Sequence, residues 1–169
     1  MKNYQMIKSI TLELAEAMLA RAEEKAKELG VAVNMAIADQ SGHLKAFRRM
    51  DGAPLLSIGI SQRKAYSAAA FGMATGEWLD VIQHNPRLLH GIPHTPDLVI
   101  FGGGFPIEVD GEVIGAIGIS GGTEEEDEEI GRAALNILRT KETNGSEGER
   151  VSACQKGCDA CEQTIHHSY

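Results

Sequence analysis

The 169 residues, 43% hydrophobic and 24% charged, suffice for one domain with its own core, without disulfide or metal staples. A formal net charge of −8 excludes nonspecific nucleic-acid binding, which needs a basic footprint, and no apolar run reaches membrane-spanning length. The three cysteines all fall near the C-terminus, make no disulfide framework and fit a reducing cytoplasm.

The N-terminal MKNYQMIKSITLELAEAM has no uninterrupted apolar segment and enters an amphipathic pattern directly, so no signal peptide is expected. Leu12, Ala15, Leu19, Ala22, Ala26 and Leu29 recur at helical spacing and predict a first helix. Thr11 is its expected N-cap, Glu13 suits the positive end, and Gly30 is a stop. Val31, Val33, Met35 and Ile37 alternate with small residues as a strand to Asp39. The segment Gln40 to His43 turns the chain, and Leu44 to Arg48 returns as the partner strand. A helix of small residues is expected from about Ser61 to Met73, with Ala65, Ala68, Ala69 and Gly72 on closely spaced faces. A short helix around Glu77 to Gln83 then leads into a loop, His84 to Pro96, rich in Pro and His.

The stretch FGGGFPIEVDGEVIGAIGISGG reads as a three-strand meander. A first strand exits at Phe101 into Gly102, Gly103 and Gly104, a second turns at Asp110-Gly111, and a third carries Gly115 and Gly118. Asp-Gly between apolar runs is a strong hairpin signal, because both turn positions need positive φ. Glycines inside a β-branched strand imply close approach of another backbone, helix or ligand. Thr123 and Glu126 form a capping-box pattern for a last helix with Ile130, Ala134, Ile137 and Leu138 as its buried stripe. Arg132, Arg139 and Lys141 complement its C-terminal end. Residues 1–140 are therefore expected to form one domain, and 141–169 a mobile tail bearing Cys and His. Hairpins outnumber crossovers, so the fold class is α/β in the α+β sense, with a mainly antiparallel sheet covered by helices.

Three segments, VNMAIADQSGHLKAFRRMDGAP, SQRKAYSAAAFG and FPIEVDGEVIGAIGISGGTEEEDEEI, together resemble the GlcG/HbpS family of haem-binding-like domains. That family includes the C-terminal domain of PduO-type corrinoid adenosyltransferases. The resemblance covers roughly Leu12 to Leu138. It implies a profilin-like sandwich with a central antiparallel sheet of about five strands, assembled into homo-oligomers. It also implies haem binding in some members and an association with glycolate or diol metabolism in others.

A haem site needs an axial ligand, an apolar slot, and cations or donors for the propionates. His90 and His94 lie in LLHGIPHTPD among Leu88, Leu89, Ile92 and Pro93, just before the glycine-rich exit at Gly103 and Gly104. Arg63, Lys64 and Arg87 are available for carboxylates. The plainer reading of the histidines is that they cap turns and strand ends. The first helix, where this family could place an axial ligand, contains no histidine here.

Gly102-Gly103-Gly104 leads into a strand rather than a helix, which is the wrong geometry for a phosphate loop. Gly121-Gly122-Thr123 precedes a helix, but six acidic residues from Glu124 to Glu129 repel an anion there. Those acids read as a solvated helix start rather than a metal site. Ser61-Gln62-Arg63-Lys64 matches the S-x-x-K pattern of acyl-transfer enzymes, but its partner motifs are missing and an N-cap role explains Ser61 more simply. Asp39, His43 and Arg48 flank the first hairpin and are better read as turn residues than as a proton-transfer site. In the tail, Cys154, Cys158 and Cys161 with His166 or His167 would satisfy tetrahedral zinc; a redox-labile tail or iron–sulfur chemistry is the alternative.

The reading that follows is a cytoplasmic, oligomeric protein that binds a small ligand, haem or a corrinoid-related tetrapyrrole first. Arg63, Lys64, His90, His94, Gly103 and Gly104 are its expected contacts, with no catalytic residue assigned. Two alternatives stand beside it. One is an enzyme or accessory factor for a small hydroxy acid or diol-derived substrate, held through Arg63 or Lys64. The other is a structural assembly module built on the small-residue helices.

Overall fold

The structure, a computed structural model, describes residues 3–139. Thr11 caps the first helix, α1 (Leu12–Leu29), its side chain accepting from the Leu14 N–H at 3.2 Å. Gly30 ends it at φ 72°, a left-handed conformation that costs glycine little. Replacing Thr11 with alanine should lower stability by about 1 kcal/mol, read by urea unfolding, because that first-turn N–H loses its acceptor.

Strands β1 (Asn34–Asp39) and β2 (Leu44–Arg49) form the first hairpin, and β3 (Gly104–Val109) and β4 (Glu112–Ser120) the second. The two hairpins join through β1 and β4 in an antiparallel sheet of order β2-β1-β4-β3. Four strands are thus present among the described residues, rather than about five. The missing one is the expected first strand of the meander. Residues 98–103 are irregular, and the Gly102 N–H donates to the Glu124 carboxylate instead of to a strand. Pro106, which lacks an N–H, sits in the edge strand β3, where the loss costs no ladder bond on the open side.

Between the hairpins lies α2 (Leu56–Phe71), which begins five residues before Ser61. Ser61 is therefore no N-cap. It is buried in the helix, and its hydroxyl donates to the Ile58 carbonyl at 3.0 Å. A 3-10 turn (Thr75–Glu77) and α3 (Trp78–Ile82) follow. The expected His84–Pro96 loop is largely helical: α4 (Pro86–Gly91), capped by the Asn85 side chain, and a 3-10 turn (Ile92–His94). No side chain of either piece is buried. The last helix, α5, spans 124–139, and Thr123 and Glu126 make the expected reciprocal capping bonds at 3.3 and 2.8 Å.

The sheet divides α2 from α1 and α5, and its two faces are unlike. Ala36, Gly118 and Gly104 are register partners in one row across β1, β4 and β3, and they face α2. With no bulk in that row, the α2 backbone lies almost on the sheet. The opposite face carries Met35, Ile37, Ile117, Ile119 and Phe105, all buried. Gly131 of α5 packs on Phe105 there, and Arg48 of β2 binds Glu16 and Glu23 of α1 at 3.0 and 2.9 Å. The sandwich therefore has a thin seam toward α2 and a thick apolar core toward α1 and α5. No helix among the described residues is long and apolar enough to cross a membrane.

Candidate functional site

Where α2 passes the β1–β2 turn, it opens a cleft of about 320 Å³, at the small end of ligand-pocket volumes. Ala38, Gly42 and Gly59 contribute to its lining. Gln62, Arg63 and Tyr66 rise from α2 on one side, and Leu44 and Asp97 close the others.

Local chemistry fixes this shape. The Asp39 carboxylate accepts the Ser41 and His43 N–H groups, each at 2.9 Å, and so folds the turn as expected for an Asx residue. Gly42 then stands at φ 84° with the Tyr66 ring packed against it, so near that a Cβ there would lie 2.8 Å from the ring. On the far side, the Ser67 hydroxyl donates to the Asp97 carbonyl and accepts the Val99 N–H. That pair of bonds holds Asp97 at φ 62°, a conformation uncommon outside glycine. Arg63 is exposed, lies over Gly59, and makes no ion pair or hydrogen bond to another described residue. The cleft thus offers an aromatic side chain, an aliphatic one and an uncommitted guanidinium.

The expected contacts fall into three places. Arg63 is in the cleft. Lys64, next in sequence, points the other way and is 1% exposed. Its ammonium donates to the Asp127 carboxylate and the Ile119 carbonyl, both at 2.8 Å, and lies 4.9 Å from the Phe101 ring centroid. Gly103 packs on that ammonium, and Gly104 packs on the Lys64 carbonyl and Thr75. The Thr75 hydroxyl accepts the Gly104 N–H at 2.9 Å. Burial pushes the Lys64 ammonium below its ordinary pKa and the Asp127 carboxyl above its own, and their mutual attraction offsets part of both shifts. This cluster holds α2, the glycine loop and the start of α5 together.

His90 and His94 occupy the third place, exposed on α4 and the following 3-10 turn and outside the lining of the cleft. Cys154, Cys158, Cys161 and His166 lie outside the described residues, so the zinc reading concerns a part the structure does not describe. Among the described residues, no group of three His, Cys, Asp or Glu side chains could hold a metal ion. Tyr66, Gln62 and Asp97 escaped the sequence reading. Tyr66 did carry a signal, as a lone large aromatic within KAYSAAA; the backbone state of Asp97 left none.

A family model described as "Haem degrading protein HbpS-like" matches residues 10–136. A protein of Citrobacter freundii, the 15.0 kDa product of the dhaT-dhaS intergenic region, is 40% identical over 140 residues, covering 82% of this chain and 98% of that one. Protein GlcG of Escherichia coli K12 is 35% identical over 111 residues, covering 66% of this chain and 81% of GlcG. A solved PduOC:haem complex superposes with a TM-score of 0.70 at 34% identity, covering 75% of this chain and 93% of that one. Sequence pattern, sandwich architecture and these matches agree: the chain belongs to the HbpS-like family.

Proposed function

We propose that this protein binds haem, or a related tetrapyrrole, with the cleft between α2 and the β1–β2 turn meeting one edge of the ligand. The observation that carries the reading is Arg63, an exposed guanidinium in the lining of the cleft that is paired with no other described residue. In this reading Arg63 pairs with a propionate, while Leu44 and Tyr66 cover part of the macrocycle. Lys64, Gly103 and Gly104 enter as the packing that fixes α2, not as ligand contacts. His90 and His94 are the rival source of an axial donor, on short helices that no buried side chain ties down. Bound haem would supply the redox and oxygen chemistry; the chain supplies contact, orientation and partial exclusion of water. The family membership and the haem complex of a 34% identical structure support the choice of ligand. Exposed Leu55, Leu56 and Phe71 support homo-oligomerisation, which would cover them. We place the protein in the cytoplasm, alongside glycolate or diol metabolism.

Titrating the purified full-length protein with ferric haem, followed by Soret absorbance, tests this reading. A saturable shift is expected, and its absence would overturn the proposal. Arg63→Ala should weaken binding about fivefold, the effect of losing an exposed charge pair of about 1 kcal/mol.

A further inference from the structure

We propose that the outer edge of β2 is a docking strip for an extended, acidic segment of a partner protein, which joins the four-stranded sheet as a further strand. The two outer strands of the sheet differ. In β3, the Ile119 N–H donates to the Gly103 carbonyl at 2.8 Å, and bonded pairs alternate along an antiparallel ladder. Gly104 and Pro106 therefore turn their main-chain groups outward. The Thr75 hydroxyl takes the Gly104 N–H, and Pro106 has none to offer. A strand arriving at β3 finds no free donor on either residue.

The edge of β2 is open. The Met50 N–H donates to the Val33 carbonyl at 3.1 Å, which makes Arg48–Met35 and Ala46–Ile37 the bonded pairs with β1. Phe47 and Arg49 thus present their N–H and C=O groups outward, and these bond no other described residue. The side chains select the partner. Lys45 and Arg49 are exposed and pair with no described acid, whereas Arg48 is held by Glu16 and Glu23 on the α1 side. Past Arg49 the strip ends at a cleft of about 370 Å³, lined also by Asp51 and by Lys27, which Glu23 binds at 2.6 Å. Two uncommitted cations on a chain of net charge −8 favour an acidic strand. They also oppose a second copy, because two-fold pairing centred on Phe47 would set Arg49 of each copy opposite Lys45 of the other.

The test combines full-length protein with a short labelled peptide of alternating glutamate and valine. Without peptide, the Phe47 and Arg49 amides should exchange hydrogen rapidly; with it, both should slow as fluorescence anisotropy saturates. N-methylating alternate peptide amides should abolish binding in one phase of the alternation and spare it in the other, since only one row faces the edge. Lys45→Glu combined with Arg49→Glu, both exposed and outside the haem cleft, should weaken the acidic peptide about tenfold and create a preference for a lysine–valine peptide. No saturable binding overturns the proposal. So do two N-methylated forms that bind alike, which would reduce the contact to charge alone, and a charge-reversed variant that keeps its affinity for the acidic peptide. Slow exchange at Phe47 and Arg49 before any peptide is added would mean that a second copy already covers the edge, and overturns it as well.

Discussion

Lys64→Ala is expected to cost about 3–5 kcal/mol of folding stability, because it leaves the Asp127 carboxylate buried without its partner. Urea unfolding followed by the fluorescence of Trp78, the single tryptophan and 2% exposed, reads the loss directly. The same burial that makes the single substitution costly also makes the pair expensive to maintain, since both groups are pushed toward their neutral forms. Lys64→Met combined with Asp127→Leu should therefore cost less than the two single changes together, by about 2–3 kcal/mol. The double change still orphans the Gly122 N–H, which the other Asp127 oxygen accepts at 3.1 Å, so full recovery is not expected. Strictly additive costs would show that the two side chains act separately and that the pair is no clip.

Gly118→Ala should be nearly as damaging, at about 3 kcal/mol. A Cβ there would overlap the Ser61 carbonyl oxygen and lie 2.5 Å from the Ala65 nitrogen, both backbone atoms of α2 that cannot rotate aside. The helix must retreat from the sheet, carrying Arg63 and Tyr66 with it, so the haem affinity proposed above should fall along with stability. Gly91→Ala is the matched control: nothing lies within 4 Å of its Cβ position, and its backbone is not left-handed. It should change stability by less than about 0.5 kcal/mol. Equal effects at the two positions would mean that the close approach of α2 is not what requires glycine.

The elements best read from sequence are those whose signals are local. Thr11, Gly30 and the Thr123–Glu126 pair act on neighbours within one helical turn, and each caps as expected. Asp110 and Gly111 take φ of 54° and 75°, the turn that the Asp-Gly dipeptide announces. Gly118 was legible as a point of close approach, though not which element approaches. Readings failed where the local signal was weak or misleading. Leu55, at the start of α2, makes no side-chain cap bond, so the helix has no polar marker and Ser61 took that role by default. Asn85-Pro86 is a proper helix start, hidden within a stretch whose Pro and His suggested a loop. The acidic run from Glu124 was read as solvated, which holds for exposed Glu124, Glu125 and Glu129 but not for Asp127. What distinguishes Asp127 is a lysine on another element, far away in the chain, and composition carries no trace of such a pairing. The cleft was half legible: Arg63 was named for its charge, whereas Tyr66 becomes informative only once Gly42 is seen beneath it.

The sheet order has a kinetic consequence. Each hairpin can form from a short stretch of chain, but the β1–β4 seam joins strands from opposite ends of the domain's sequence. Closing it costs loop entropy before any contact across it is gained, so the seam and α2, which spans it, are expected to form in the rate-limiting step. The row of Ala36, Gly118 and Gly104 is therefore expected to set how fast this protein reaches its native state as well as how well it stays there, so that Gly118→Ala should slow refolding as well as speed unfolding.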